Sequence, residues 1–343
     1  MPDIASVSSF SGSGLAEQAS RLILSRVRPL LAAADSSSKS PALWSLHSVP
    51  STGMPWQSKI KPLEKRILSH LYSSSISKFG RRSDTWKGKP GDVLVQCFMK
   101  DVSTVAISVT ELSKSPFFWR RPLPWLAGHI AIPEDPKYPA ESYKKCKEIL
   151  CHMGIDHHNG LEGRRVVELG AMPGGWTMVL LEAGANLTSV DWAQLENPWL
   201  TSHPRLNHRC EDARIFDPRA AGILDSSSSS SVDYLFADLA LPPEKSLVAL
   251  EQWIQNRWTK AFAWTFKFGF HTGDKYHDIV NKVRRTLAAH GPDLAFSLRH
   301  IHKHENEMVV LGGWSSMAME GLEEEVSALP RTSWHDKAPE SSA

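Results

Sequence analysis

The chain of 343 residues is long enough for two domains, each with a hydrophobic core. Its 41% apolar and 22% charged residues are typical of globular proteins, and no run of eighteen apolar residues could span a membrane. The net charge is +2, but 13 Lys and Arg against 5 Asp and Glu lie between Trp56 and Leu126, which indicates an anionic partner for this region.

The four cysteines, Cys97, Cys146, Cys151 and Cys210, are scattered and form no C-x-x-C pair. Such a pattern is typical of free thiols in a reducing compartment and matches no standard zinc framework. We therefore expect no bound metal.

Residues 1–41 are rich in Ser and Ala, and we expect them to form a flexible N-terminus. An apolar pattern from Leu15 to Leu31 predicts either a short helix or an amphipathic transit peptide. The expected location is cytoplasmic, or mitochondrial if residues 1–40 act as a transit peptide.

Residues 42–135 are predicted to form a basic, smaller α+β domain that binds RNA. Two strands, 92–99 and 102–112, are expected to pair as a hairpin. In the segment 114–125, aromatic rings alternate with Arg120 and Arg121, and its prolines exclude a long helix. This segment predicts an RNA-contacting surface or a linker packed onto the next domain, and both roles are compatible.

From residue 136 to 315, apolar strands alternate with helical patterns. This order predicts an α/β domain with a doubly wound, mostly parallel sheet. The expected strands are 166–170, 187–191, 205–209, 232–237, 261–267, 293–300 and 307–312, and the expected helices are 139–151, 175–184, 243–257 and 276–290. The tail 316–343 is predicted to be disordered.

The stretch Val166–Trp176 predicts a strand, a glycine turn and the start of a helix. Glycine lets the backbone approach a ligand closely. The pattern is G-x-x-P-G-G-W and not the dinucleotide fingerprint G-x-G-x-x-G, so we expect S-adenosylmethionine as the ligand. The residues predicted to line its site in this turn are Gly170, Pro173, Gly174, Gly175 and Trp176.

Acidic residues follow three further strands. Asp191 is placed to bind ribose hydroxyls, and Asp212 could accept a hydrogen bond from an adenine amino group. Asp238 follows the strand 232–237, and Lys267 ends an otherwise apolar strand. A charged side chain is rarely placed in such a strand unless it is paired, so Lys267 is the stronger functional candidate.

The motif Gly170–Trp176 resembles the first motif of the FtsJ-like ribose 2′-O-methyltransferases of RNA, closest to the RlmM type that acts on large-subunit ribosomal RNA. The resemblance covers residues 136–314. It implies a Rossmann-like methyltransferase domain with S-adenosylmethionine as cofactor, Asp238 included in the cofactor site, and structured RNA, above all ribosomal RNA, as substrate.

The family uses a Lys-Asp-Lys-Glu tetrad, and the resemblance places it on Lys145, Asp238, Lys267 and Glu307. Lys144 is the alternative for the first position, since neighbouring helical residues point about 100° apart, and Glu305 is the alternative for the last. Two departures stand out: Glu168 replaces the commoner Asp of the first motif, and Ala140-Glu141 replaces a Ser-Arg pair.

We therefore expect an RNA 2′-O-ribose methyltransferase, without membrane or metal and active as a monomer. Methylation of transfer RNA or of an mRNA cap by the same site is one alternative. A catalytically silent RNA-binding subunit with a methyltransferase fold is another. An intact tetrad favours the enzymes.

Overall fold

A computed structural model describes the following residues of the chain: 4–8, 12–35, 43–50, 57–73, 81–82, 92–99, 101, 103–111, 132–225, 230–268, 273–301 and 307–317. The described residues divide into two compact units, one ending at residue 111 and one beginning at residue 132. Within these ranges, no helix is both long and apolar enough to cross a membrane. The segment 114–125, the serines 226–229 and the tail beyond residue 317 lie outside the described residues.

The first unit packs two helices against a five-stranded sheet. The strand order is β1-β5-β4-β2-β3, and β4 and β5 pair antiparallel, as predicted for the hairpin. The elements are β1 (Ile4–Ser8), α1 (Gly12–Asp35), β2 (Leu43–Pro50), α2 (Gln57–Ser73), β3 (Arg81–Arg82), β4 (Val93–Met99) and β5 (Thr104–Glu111).

The N-terminal segment differs from the flexible one that its Ser and Ala content predicts. Leu15, Ile23 and Val27 of α1 are almost fully buried, and they share a core with Ile67 of α2. Ser20 Oγ donates to the carbonyl of Ile67 over 3.2 Å, which ties the two helices together. The apolar spacing along α1 therefore outweighs its polar composition, because that spacing forms one stripe facing the sheet.

The second unit is a seven-stranded sheet of order β11-β12-β10-β9-β6-β7-β8. β12 runs antiparallel to β10 and β11, and the other six strands share one direction, so the predicted doubly wound, mostly parallel, Rossmann-like fold is confirmed. The elements are α3 (Tyr143–Met153), β6 (Arg165–Leu169), α4 (Gly175–Glu182), β7 (Asn186–Asp191), α5 (Pro198–Thr201), β8 (Leu206–Cys210), β9 (Val232–Ala237), α6 (Pro243–Gln255), β10 (Thr259–Lys267), α7 (Gly273–Ala288), β11 (Leu294–His300) and β12 (Glu307–Trp314).

Two hydrophobic cores lie on opposite faces of this sheet. Phe236 of β9 packs with α3 and α4, whereas its neighbour Leu235 packs with α6 and α7. This period of two is what strands buried on both faces require. The sheet order reverses between β6 and β9, and ligands of such sheets bind beyond the carboxyl ends of the strands at that point.

Candidate active site

Gly170 lets the chain leave β6 at the point where three strands end. Its φ is +86°, and an added β-carbon would lie 2.9 Å from the carbonyl oxygen of Asp238. The Gly170 N–H donates to the Val190 carbonyl over 2.9 Å, while the Asp238 N–H donates to that of Leu169 over 3.0 Å. A residue without a side chain is therefore required for the ends of β6, β7 and β9 to converge.

Gly174 and Gly175 are required for packing, and their role in the cofactor site stays a prediction. Gly174 has φ +103° and precedes α4, and a β-carbon there would lie 2.4 Å from Leu200 Cδ1. A β-carbon on Gly175 would lie 2.8 Å from Ser142 Oγ. Among the described residues, neither glycine lines the cleft that the loop borders.

That cleft has a volume of about 830 Å³ and opens beyond the carboxyl ends of β6, β7, β9 and β10. Such a volume suits a small-molecule ligand. Of the residues predicted for the cofactor, Gly170, Pro173, Trp176, Asp191, Asp212 and Asp238 line it. Further lining residues are Ala140, Ser142, Lys145, Ala171, Met172, Trp192, Ala213, Arg214, Leu239, Ala240, Leu241 and Lys267.

Two further carboxylates, Asp191 and Asp212, line the cleft. Asp191 is 8% exposed, and its two oxygens accept from the Met172 N–H over 3.0 Å and the Ala193 N–H over 3.1 Å, which fixes the glycine loop to β7. Asp212 accepts from Arg214 through both oxygens, and these hydrogen bonds hold the pKa of Asp212 below its ordinary value. Both groups are thus positioned as hydrogen-bond acceptors.

Trp192 is a cleft residue that the sequence reasoning missed. It follows Asp191 directly, and 87% of it is exposed although it lines the cleft. An apolar ring left open beside two carboxylates is suited to cover a flat heterocycle. The signal in the sequence was an aromatic residue immediately after the acid that ends a strand.

Four charged side chains from distant parts of the chain meet, and three of them, Lys145, Asp238 and Lys267, line the cleft. Lys145 Nζ lies 2.7 Å from Asp238 Oδ2 and 2.9 Å from Glu307 Oε2. Asp238 Oδ1 lies 3.0 Å from Lys267 Nζ, so this carboxylate joins both lysines. Thr265 Oγ1 also donates to Asp238 Oδ1 over 2.8 Å. The four residues predicted as a tetrad are therefore brought together.

The geometry distinguishes Lys145 from its neighbour. Lys144 Nζ pairs with Glu134, away from the cleft, whereas Lys145 lies within it. Glu307 begins β12 in register with Lys267. Glu305, the alternative to Glu307, lies outside the described residues.

Burial and pairing set the charges of this cluster. Burial disfavours the Lys145 ammonium, but attraction and hydrogen bonds from Asp238 and Glu307 outweigh this cost and raise its pKa above the ordinary value. Burial likewise opposes ionisation of Asp238, yet the nearby Lys145 and Lys267 lower its pKa. Lys145 is therefore a fixed cation and Asp238 a fixed anion near neutral pH.

Glu168 lies under the glycine loop and is 1% exposed. Thr177 Oγ1 donates to its Oε2 over 2.8 Å, while Oε1 has no hydrogen-bond partner among the described residues. Burial raises the pKa of Glu168 to about 8, so the neutral acid predominates near pH 7.

In the part of the chain that the structure describes, no group of three or more His, Cys, Asp or Glu is arranged to hold a metal ion.

The sheet order and the cleft at its reversal define a Rossmann-like α/β domain with a ligand cleft at its switch point. Residues 138–300 match the family of FtsJ-like methyltransferases, so the resemblance predicted from the first motif is confirmed. This match ends before Glu307 but includes the other three members of the cluster.

Curated relatives share the same part of the chain. The ribosomal RNA large subunit methyltransferase M of Halorhodospira halophila is 29% identical over 54% of this chain and 52% of its own length. The enzyme of that name from Proteus mirabilis is 25% identical over 58% of this chain and 50% of its own. The chain thus spans about half the length of these relatives. A structure of Aeropyrum pernix fibrillarin with S-adenosyl-L-methionine aligns with 64% of this chain and 82% of that chain, at 13% identity and a TM-score of 0.35.

Proposed function

We propose that the second unit is an S-adenosylmethionine-dependent 2′-O-methyltransferase of RNA, and that its substrate is ribosomal RNA. The observation that carries the proposal is the Lys145–Asp238–Lys267 chain that lines the cleft, with Glu307 paired to Lys145. The match to the FtsJ-like family supports the reaction, and the names of the curated relatives support ribosomal RNA.

The polar and aromatic groups that line the cleft fit this cofactor. The acceptor oxygens of Asp191 and Asp212 suit hydroxyl and amino groups of a nucleoside, and the open ring of Trp192 suits its base. No diphosphate-binding glycine pattern competes with this interpretation. When bound, S-adenosylmethionine supplies a methyl group on a positively charged sulfur.

Lys267 is the member of the tetrad that can meet a substrate hydroxyl. Its side chain is 28% exposed, against 4% for Lys145 and 15% for Glu307. Its Nζ contacts Asp238 twice, through Oδ1 at 3.0 Å and the main-chain oxygen at 3.3 Å. A lysine amine can form three hydrogen bonds, and Asp238 takes two of them. The third position remains to orient a ribose 2′-oxygen or to accept its proton.

The other three members hold Lys267 in place. Asp238 fixes Nζ by charge-assisted hydrogen bonds, and Thr265 fixes the same carboxylate oxygen. Lys145, held between Asp238 and Glu307, adds a permanent positive charge beside the reacting oxygen. A ribose hydroxyl is a weak nucleophile, so aiming it accounts for much of the acceleration.

The decisive experiment replaces Lys267 and compares it with a neighbouring lysine. We expect Lys267→Ala to reduce methyl transfer to unmodified ribosomal RNA by about a hundredfold or more, the effect of losing one positioned proton-transfer group. Lys267→Arg should be almost as inactive, because a guanidinium keeps its proton and has a different shape. The control is Lys144→Ala, which removes a lysine paired with Glu134 outside the cleft.

Calorimetry with S-adenosylhomocysteine and thermal melts should show that Lys267→Ala binds the cofactor product and folds like the wild type. A well-folded Lys267→Ala protein with full activity would refute the mechanism. Faster methylation of transfer RNA or of a capped RNA by the wild type would replace ribosomal RNA as substrate. A wild type that binds both ligands but transfers no methyl group would support the silent subunit.

A further inference from the structure

The loop that carries Trp192 is held by the edge strand β8. His208 of β8 lies in register with Ser189 of β7, two residues before the Asp191 that ends β7. Its Nε2 lies 3.0 Å from the carbonyl oxygen of Ala193, and its Nδ1 lies 2.8 Å from Ser189 Oγ. One imidazole therefore joins the loop after β7 to the strand itself.

The two contacts of His208 fix the position of its ring proton. A carbonyl oxygen can only accept, so the contact with Ala193 requires the proton on Nε2. Nδ1 then accepts from the hydroxyl of Ser189, a residue that is 0% exposed. The buried serine thus sets the direction in which the other ring nitrogen donates.

Ala193 is held from two directions. Its N–H donates to Asp191 Oδ1 over 3.1 Å, and its carbonyl accepts from His208. The carbonyl of Asp191 accepts in turn from the N–H of Glu211, the residue directly after β8, over 3.0 Å. Trp192 therefore lies between two residues whose main chains are both hydrogen-bonded to β8 or to its end.

The ring of Trp192 depends on this backbone for its direction. The residue is 87% exposed, so packing against protein atoms contributes little to its orientation. Ala193 is only half-buried, and a carbonyl at such a position can be hydrated without a histidine. The bond from His208 therefore adds order to the loop. A ring that is held in its binding position before the ligand arrives loses less freedom on binding, which raises affinity.

We propose that His208 is a positioning residue of the cofactor site, which holds Trp192 over the nucleoside end of S-adenosylmethionine through the carbonyl of Ala193. The proposal rests on the proposed function and adds to it a residue that does not line the cleft. Because His208 lies outside the cleft, its effect on binding has to pass through the loop.

Two substitutions of His208 separate its two contacts. The longer glutamine can place an amide N–H where Nε2 lies and keep the bond to Ala193, whereas asparagine reaches only the Ser189 side. We expect His208→Asn to weaken binding of S-adenosylhomocysteine in calorimetry by up to about tenfold, the loss expected for the Trp192 ring itself. His208→Gln should retain most of the affinity. Equal affinities of the wild type and a folded His208→Asn protein would overturn the proposal.

A double-mutant cycle tests whether His208 acts through Trp192. In a Trp192→Ala background, His208→Asn should cost no further affinity, because the ring that His208 positions is absent. A packing defect would instead weaken binding equally in both backgrounds, and that result would overturn the proposal. The control is His203→Asn, at a histidine outside the cleft whose Nδ1 accepts from the Arg205 N–H over 3.3 Å, and it should bind like the wild type.

A second variant covers the case in which His208→Asn does not fold. Ser189→Ala removes the hydroxyl that orients the imidazole and changes little volume. It should weaken binding of S-adenosylhomocysteine in the same direction, and again only while Trp192 is present. Wild-type affinity in this variant would overturn the role of the serine and of the ring that it orients.

Hydrogen exchange of the full chain adds a measurement that needs no ligand. The segment 191–195 should exchange faster in His208→Asn than in the wild type or His208→Gln, because the loop opens more often without its bond to β8. Unchanged exchange in folded His208→Asn would overturn the proposal. Failure of the proposed function has a different signature, since a wild type that shows this exchange pattern but binds no S-adenosylhomocysteine would retain the anchored loop and lose the cofactor.

Discussion

Burial of Glu168 predicts that the stability of the second unit falls as pH rises toward 8. The carboxyl is 1% exposed, accepts one hydrogen bond from Thr177 and has a pKa raised to about 8 by burial. In the unfolded chain, the same carboxyl ionises near pH 4.5. Between these values the folded state holds a proton that the unfolded state releases. The free energy of unfolding therefore declines as pH rises through this window, and outside it Glu168 contributes no pH dependence.

The size of the effect follows from the two pKa values. A change from 4.5 to about 8 corresponds to roughly 5 kcal/mol between about pH 4 and pH 9, and solvent relaxation around the buried charge makes this an upper bound. Glu168→Gln keeps the shape and the acceptor for Thr177 but cannot ionise. We expect the variant to resemble the wild type near pH 4 and to be several kcal/mol more stable near pH 9.

Urea unfolding across this pH range measures the difference. The control is Asp233→Asn, because Asp233 pairs with Lys260 at 2.7 Å and its pKa is lowered although burial opposes this. Loss of that carboxylate should destabilise the fold near neutral pH and leave the decline toward pH 8 in place. If the wild type and Glu168→Gln lose stability in parallel as pH rises, Glu168 is ionised in the folded protein and the reasoning fails.

Two further substitutions test the cleft. Trp192→Ala should weaken binding of S-adenosylhomocysteine about tenfold in calorimetry without lowering the melting temperature, because the ring is 87% exposed and contributes by stacking. The matched control is Trp199→Ala, since Trp199 is exposed outside the cleft. Equal affinities in the two variants would contradict the role of Trp192. Gly170→Ala should destabilise by about 2 kcal/mol or more and abolish cofactor binding, since it combines a positive φ with a clash at the Asp238 carbonyl. Gly163→Ala, at φ +69° with open space around it, separates the conformational cost from the clash, and equal losses at both glycines would show that the clash is irrelevant.

The second unit was predictable because its strands carry local signals. Runs such as Val232–Ala237 are mostly apolar and are followed by an acid, and the strand found there has the predicted bounds. Strand direction followed from the alternation of strands and helices. The resemblance to the FtsJ-like family then placed four residues that lie as far as 162 positions apart, a proximity that no local pattern encodes.

Other features depend on contacts that the sequence does not reveal. The Ser and Ala content of residues 1–41 predicted flexibility, whereas the apolar spacing from Leu15 to Leu31 predicted a short helix or a transit peptide. The helix is found, but the burial of Leu15 and Val27 depends on the sheet of the first unit. Gly174 belongs to a turn whose glycines predict ligand binding. Its close packing against Leu200 of α5, 26 residues further along the chain, could not be read from that pattern. The choice between Lys144 and Lys145 required the rotation of α3 about its axis, which the partners Glu134 and Asp238 reveal.

The tetrad is better explained by chemistry than by stability. Buried ion pairs seldom stabilise a fold more than apolar packing would, because removing the charges from water offsets their attraction. Lys145 at 4% exposure and Asp238 at 11% bear that cost, yet the chain of contacts ends at a lysine that remains 28% exposed toward the cleft. In a purely structural network, every hydrogen-bonding position would be paired within the protein. This one leaves a single hydrogen-bonding direction of the Lys267 amine open beside the cleft, which is the arrangement that the proposed methyl transfer to a ribose hydroxyl requires.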